Sequence, residues 1–386
     1  MTADQTTSIA IVGCGYVADS YRHCLPLHAG TLALAGVYDR DPARLRAFAD
    51  CWGDRTYSGL DALLADPAVG IVVNLTPPEA HAEVTLAALD AGKHVYTEKP
   101  LAMSLAEAEQ LRARARAKGL RIGAAPCNLL GEASQTLWKA VRSGAIGRPV
   151  LAYAELDDGM VHKARYQEWI SRSGRPWPAR GEFETGCTFE HAGYAVTVLA
   201  GMFGPVRRVT AFASLVLPDK GLVPPLDHMA PDFSVGLLEF DGGFVARLTN
   251  SIVAPYDHRF RIIGENGTLE LGEPWDYASP VKLRRPASGR LRRLIERRFG
   301  AVGGERLAPA RPVPFKGGNG KPTMDFMRGV AELATAIRDG RRCRLDEDFA
   351  VHVTEVTEIL QYPERFARPA TVTSTFAPIA PMDWAR

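Results

Sequence analysis

The sequence predicts an α/β chain in two parts: a doubly wound parallel sheet over residues 1–125, then a second α/β part over residues 126–386. Three observations carry this. A chain of 386 residues is too long for one ordinary core. Its first third alternates short apolar strands with helical stretches, a β-α-β-α-β rhythm that winds a parallel sheet. From about residue 206 the pattern changes to strands joined by turns such as "DGG" and "GENGT", which reads as antiparallel pairing.

The first element, "SIAIVGCGYVADSYRHCL", is a β-branched run, a Gly13-x-Gly15-x-x-Ala18 turn and a segment that continues as a helix. The first glycine permits the tight turn, the second lets backbone approach a pyrophosphate, and Ala18 still allows close helix packing. Gly13, Gly15, Tyr16 and Val17 are therefore candidate dinucleotide contacts. The second strand, "TLALAGVYDR", ends in Asp39, about where an acidic residue grips the adenosine ribose hydroxyls; the plainer reading is an aspartate that ends a strand. Asp39 repels a 2′-phosphate whereas Arg40 tolerates one, so NAD is favoured, with NADP possible. Then come a strand in "VGIVVNLTPP", a helix in "EAHAEVTLAALDAG", "KHVYTEKPLA", a helix over 104–118 and the strand "LRIGAAPC". Asn74, Thr76, Pro77, Glu98, Lys99 and Asn128 fall at or past strand ends, where ligands bind in such sheets, and His81 follows just after.

The remaining composition narrows the function. A net charge of +2 argues against a general nucleic-acid binder, and no run approaches the roughly 18 apolar residues that a membrane span needs. The start lacks the basic and apolar regions of a secretion signal, so the expected location is the cytoplasm. Six cysteines scattered without CxxC pairing fit reduced thiols, and no metal is implied.

Taken together, "VGCGYVADSY", "NLTPPEAHAEVTLAALDAGKHVYTEKPLA" and "RSGAIGRPV" resemble the Gfo/Idh/MocA oxidoreductase family, from residue 9 to about 210 with a continuation to about 270. The resemblance implies an N-terminal Rossmann domain and a C-terminal α/β domain whose large, open, mostly antiparallel sheet forms a homodimer or homotetramer contact. It implies that Lys99 reaches a substrate hydroxyl or carbonyl beside the nicotinamide, with a cis Lys99-Pro100 bond. An ammonium beside a cationic nicotinamide should also have its pKa pushed down toward neutrality. The plainer reading is a surface lysine on a loop.

The family's second signature, roughly GALLDxGxHxxDLL, aligns without gaps on "GCTFEHAGYAVTVL". Glu190 then stands at the aspartate and Tyr194 at the histidine, four apart and on one face of a regular helix. A phenol titrates near 10, so Tyr194 is an acid ready to donate at neutral pH, and family branches that reduce keto-sugars or oxidise dihydrodiols carry tyrosine here. A buried tyrosine packing its ring is the plainer reading. His191, about 100° around a regular helix from Glu190, is expected to pack at the interface or to border the substrate.

The segment "LDDGMVHKARYQEWISRSGRPWPARGEFET" reads as a substrate-facing loop. Trp169 and Trp177 offer faces for sugar rings, and His162, Lys163 and Arg165 offer hydrogen bonds and charge. Ordinary solvated positions are an equal reading for each. Residues 282–311 carry nine arginines against two glutamates and depart from the family pattern; a solvated insertion, an oligomer contact and a clamp for an anionic substrate compete. Helices over 323–338 and 346–361 are expected to cover the antiparallel sheet.

The leading expectation is an NAD(P)-dependent dehydrogenase or reductase acting on a secondary alcohol or ketone of a sugar, nucleotide sugar or cyclitol. Lys99 and Tyr194 handle the proton, and Glu190 orients Lys99 or a substrate hydroxyl. Two alternatives stay open: a redox-neutral epimerase, lyase or glycosidase working by transient oxidation, and a non-catalytic dinucleotide sensor.

Overall fold

The computed structural model describes residues 6–286, 289, 290, 294, 297, 298, 304–318 and 322–386. Strands β1 (Thr7–Val12), β2 (Leu32–Tyr38), β3 (Ile71–Asn74), β4 (His94–Thr97) and β5 (Ile122–Ala124) form a sheet of order β2-β1-β3-β4-β5, every pair parallel. β3 is buried along its whole length because helices cover both faces of the sheet. Helices α1 (Ala18–Cys24), α2 (Pro42–Trp52), α3 (Leu60–Ala65), α4 (His81–Asp90) and α5 (Leu105–Ala117) supply that cover. The order reverses between β1 and β3, the switch point at which parallel sheets leave a crevice. Two helix starts are fixed by side chains: Asp41 accepts the Ala43 and Arg44 N–H groups of α2, and Ser104 accepts Glu107 N–H of α5. Such caps contribute about 1 kcal/mol each.

Among the described residues the second sheet has nine strands. β6 (Pro149–Asp157), β7 (Val206–Ser214), β8 (Phe233–Phe240), β9 (Val245–Ser251), β10 (Phe260–Gly264), β11 (Gly267–Leu271), β12 (Val281–Arg284), β13 (Glu305–Arg306) and β14 (Ala370–Thr371) lie in the order β13-β12-β11-β10-β6-β9-β8-β7-β14. Only the central β6–β9 pair is parallel. Its inner face packs on α6 (Glu132–Arg142) and α8 (Gly193–Phe203), through Leu137, Val198 and Leu199 against Leu238, Leu248 and Ile262. α7 (Ala179–Thr185) lies before α8 in the chain.

The last two helices depart from expectation. α9 (Arg328–Arg338) starts later than residue 323 and covers the first sheet, where Val330, Leu333 and Ala336 pack with Ile9, Ile11 and Tyr96. α10 (Glu347–Gln361) is shared: Ala350 and Val351 join the first sheet's core, and Val356, Ile359 and Leu360 join the second's. The physical reason is that the first sheet needs apolar cover beside α1 and α2, and no helix before residue 126 packs there with them. The chain's return thus ties the two sheets together. All six cysteines are free thiols, and no helix among the described residues is long and apolar enough to cross a membrane.

Candidate active site

A cleft of 1090 Å³ runs from the glycine turn to the start of α8. Gly13 has φ 97°, and a Cβ there would lie 2.5 Å from the Leu75 carbonyl oxygen, so only glycine lets the turn pass over the end of β3. At Gly15 an added Cβ would meet no protein atom within 4 Å, which leaves the turn open on its cleft side. This is the shape that close approach of a pyrophosphate requires. Tyr16, Val17, Asp39, Arg40, Thr76, Pro77, His81, Glu98 and Lys99 line the same cleft. Asp39 is also a brace: one carboxylate oxygen accepts Cys14 N–H and the other Asp41 N–H, both at 2.8 Å.

Two residues expected at the cofactor do not line the cleft. Asn74 is fully buried and spends its amide on the protein, donating to the His81 carbonyl and Thr85 Oγ1 and accepting from Thr76. Asn128, also fully buried, donates to the Tyr194 carbonyl at 3.1 Å and so braces α8 from behind. Strand-end position marks both for a ligand, but burial turns their polar groups inward. His81 has its two ring nitrogens at 2.6 Å from the Pro100 carbonyl and 2.8 Å from the Thr76 carbonyl, which fastens the loop after β3 to the turn after β4.

Lys99 is delivered by that turn. The Lys99-Pro100 peptide is cis, and Glu98 holds the place with one oxygen on Lys99 N–H at 3.0 Å and the other on Tyr21 OH at 2.6 Å. The Lys99 ammonium pairs directly with the Glu190 carboxylate, both largely buried. Burial is the largest single influence and disfavours the ammonium, but Glu190, with Glu182, Tyr194 and Glu98 behind it, outweighs it and holds Lys99 well above the usual lysine range. The protein's own groups therefore set this lysine opposite to the expected lowering, because a carboxylate sits at contact distance.

The helix that carries Glu190 is not regular. Thr188–Ala192 forms a π turn before α8, so the four-residue spacing argument for Glu190 and Tyr194 does not hold as stated. The wider turn brings Glu190, His191 and Tyr194 together into the cleft, where His191 stands in the wall, the second of the two places expected for it. Burial lifts the Tyr194 phenol above its ordinary value, and the Lys99 ammonium partly counters this; at neutral pH it keeps its proton.

Sequence reasoning missed the groups behind this wall. Asp158, at the end of β6, lies 2.6 Å from His191 Nδ1, an ion pair off the line of a well-aligned hydrogen bond, and 2.7 Å from His258 Nε2. His258 Nδ1 in turn meets Glu273 at 3.1 Å. Burial works against a charged His258, yet its bonds to Asp158 and Glu273 raise it to about 9. Burial opposes charge at His191 too, and Asp158 outweighs it. Trp275 lies between, with its ring 4.8 Å from Tyr194, 5.7 Å from His191 and 4.6 Å from His258. Glu182, on α7, lines the cleft beside Glu190, and burial plus the Glu190 charge push its carboxyl up to about 7. No periodicity marks these residues; Asp158 and His258 meet only through the bridge between Asp157, at the end of β6, and Asp257, just before β10.

Of the expected substrate loop, Trp177 lines the cleft but His162, Lys163, Arg165 and Trp169 do not. Arg165 forms an exposed ion pair with Glu168 at 3.1 Å, and Trp169 packs edge-on against Trp177 at 5.2 Å. The loop folds on its own aromatic cluster, which turns one indole inward and leaves Lys163 and Arg165 exposed. In the arginine-rich segment, Arg292 and Arg293 lie outside the described residues. None of its described arginines lines the cleft, and Arg311 is used inside the protein, on Glu132 at 2.7 Å and over the Trp384 ring.

Comparison with known proteins finds two family models that match successive parts of the chain. Residues 7–125 match the Gfo/Idh/MocA oxidoreductase family with its NAD-binding Rossmann fold, and residues 134–270 match the family's C-terminal domain. The chain is 28% identical to inositol 2-dehydrogenase of Acidothermus cellulolyticus over 76% of its length and 80% of the relative's. It is 26% identical to trans-1,2-dihydrobenzene-1,2-diol dehydrogenase of Mus musculus over 69% and 74%. Its fold resembles aldose-aldose oxidoreductase from Caulobacter crescentus, crystallised with glycerol, at TM-score 0.71 and 21% identity, covering 93% of this chain and 98% of that one. The glycine turn, the EKP lysine and the two matched domains make the chain a member of the Gfo/Idh/MocA family of NAD-binding oxidoreductases.

Proposed function

We propose that this oxidoreductase moves a hydride between a nicotinamide and the carbinol carbon of a sugar, nucleotide sugar or cyclitol. The observation that carries the reading is the meeting, in one cleft, of Lys99 from the first sheet with Glu190 and Tyr194 from the π turn and helix of the second part. The bound nicotinamide supplies the hydride acceptor or donor. The chain does the rest. Glu190 holds the Lys99 ammonium in place, Tyr194 keeps its proton at neutral pH and gives it to a developing alkoxide, and Lys99 stabilises that oxygen by charge. Trp275 and Trp177 give flat apolar walls suited to a sugar ring, and His191 adds a hydrogen-bond donor beside them. The inositol and dihydrodiol dehydrogenases named above, whose names specify ring-carbon alcohols, support this substrate class.

The test is turnover with a panel of cyclic polyols and their ketones, with NAD and with NADP, followed in the near-ultraviolet. Net formation or consumption of reduced nucleotide, lost in Lys99→Met, supports the reading; a substrate converted with no net change in nucleotide points to the redox-neutral alternative. Self-association through the second sheet is part of the proposal. Its outer face exposes Leu151, Leu237 and Phe212, which the strand register sets on one side. Light scattering on the wild type and on Phe212→Glu/Leu237→Glu tests it: the pair of charges should release monomers.

A further inference from the structure

We propose that residues 170–178 form a strap from the second part of the chain that closes over the dinucleotide, latched by Asp19, with Arg175 meeting a phosphoryl group of the adenosine half. This rests on the cleft's role as dinucleotide site.

The strap is preformed. Ile170 and Pro176 make a β-bridge, Ser171 N–H donates to the Arg175 carbonyl at 2.7 Å, and Trp177 N–H donates to the Trp169 carbonyl at 2.9 Å. Its base is held by ring contacts of Trp177 with Tyr166 and Phe183, at 5.7 and 6.0 Å. A hairpin so anchored loses little further entropy when it closes on a ligand.

Its tip is fastened to the other part of the chain. Ser173 donates twice to one Asp19 carboxylate oxygen, from N–H at 3.0 Å and from Oγ at 2.7 Å, while Trp52 Nε1 donates to the other at 2.6 Å. Asp19 and Ser173 are both buried although 154 residues apart. The Arg172 guanidinium lies 4.2 Å over the Trp52 ring. Asp19 stands in the first turn of α1, four residues after Gly15, so the latch closes directly beside the glycine turn. Three charge-assisted hydrogen bonds and a stacked cation converge there, which is more than a passing surface contact supplies.

Beyond the latch the strap turns into the cleft, where Arg175, Pro176, Trp177 and Pro178 form part of its wall. Arg175 Nε is buried without a partner, and among the described residues its side chain has no carboxylate at ion-pair distance. Asp41, which the Arg44 and Ala43 N–H groups hold below the usual carboxylate range, also feels the Arg175 charge, so the guanidinium lies toward the end of β2. Arg44 there is already engaged with Asp39 and Asp41, at 3.6 and 3.8 Å. A half-buried guanidinium whose Nε is covered and unpaired, on the wall of a dinucleotide cleft, is suited to a phosphoryl oxygen, either the pyrophosphate or a 2′-phosphate. Exchange of the nucleotide then requires the Ser173–Asp19 latch to open.

The experiment measures dissociation rates and affinities of NADH and NADPH by nucleotide fluorescence for the wild type, Arg172→Ala/Ser173→Ala and Arg175→Gln, each checked for native circular dichroism. Loss of the latch should speed release about tenfold. Arg175→Gln should weaken both nucleotides about tenfold if it meets the pyrophosphate, or NADPH alone if it meets a 2′-phosphate. In the wild type, amide exchange over residues 171–177 should slow when nucleotide binds. Release rates and affinities equal to wild type in both variants, or amide exchange indifferent to nucleotide, would overturn the strap. A wild type that binds neither nucleotide would instead bring down the dinucleotide reading, and the strap with it.

Discussion

The two ends of the cleft are built in different ways. At the nucleotide end, short local stretches do the work: a glycine turn between β1 and α1, and an aspartate at the end of β2, one of whose oxygens holds the backbone of that turn while the other holds Asp41 N–H at the start of α2. At the substrate end, Lys99, Asp158, Glu182, Glu190, His191, Tyr194, His258 and Trp275 come from strand ends, α7, a π turn and α8, and each depends on another for its charge or orientation. The first end is a backbone device that tolerates side-chain change around it. The second is an interlocked set of charges, so single substitutions there should change chemistry and stability together.

The sharpest test separates the ends. Lys99→Met and Tyr194→Phe should each lower kcat/KM by about 10²–10⁴-fold, while NADH affinity, read by fluorescence titration, stays within about twofold. If both functions fell together, the cleft would be one unit and the comparison would fail. Next in size is Glu190→Gln, which leaves the Lys99 ammonium buried without its counter-charge. Breaking such a pair costs about 3–5 kcal/mol, to be read from urea unfolding; the lysine pKa should fall in the same variant, because burial then loses its largest opponent and only Glu182, Tyr194 and Glu98 remain to raise it. Lys99→Met/Glu190→Gln should recover much of that loss.

This contrast also explains how much was legible in the sequence. Gly13, Gly15, Asp39 and the EKP lysine lie at fixed offsets from strand ends, so chain order alone places them. The β-α-β rhythm likewise follows from local pattern, as does α10, whose N-cap Asp346 stands at the expected start. Asn74 and Asn128 mislead because position at a strand end does not say which way an amide faces. His191 is left between interface packing and the substrate border because a π turn changes the angle per residue, and nothing in "TFEHA" announces one. Asp158, His258 and Glu182 are invisible for a further reason: their roles exist only once β6, β10 and α7 converge, and an isolated charge in a loop carries no such mark. The cover of the first sheet by α9 was missed on the same ground, since an apolar stripe does not name its partner.

A smaller effect concerns pH. His258 is raised to about 9, above its unfolded value near 6.5. A group raised on folding stabilises fully below its unfolded pKa and loses that contribution as pH rises through the folded one. Stability should therefore fall between about pH 6.5 and pH 9, by on the order of 2 kcal/mol. His258→Gln should flatten thermal unfolding over that window and lower stability most at its acidic end. A slope unchanged by the substitution would show that Asp158 does not depend on this imidazolium, and the substrate end would be less interlocked than its geometry indicates.

The smallest expected effect marks the boundary of the substrate end. Lys163, Arg165 and Trp169 belong to the segment that sequence chemistry nominates for sugar binding, yet none lines the cleft, whereas Trp177 does. Lys163→Ala and Arg165→Ala should change KM less than about twofold and stability by less than about 0.5 kcal/mol, the usual range for exposed positions. Trp169→Ala should act only through its edge contact with Trp177, worth about 0.5–1.5 kcal/mol for an aromatic pair. Its signature is lower stability with KM nearly unchanged, while Trp177→Ala raises KM directly. A large KM effect from Lys163 or Arg165 would mean that the loop moves these cations into the cleft when substrate binds, and the boundary drawn at Trp177 would then describe only the empty-handed form of the site.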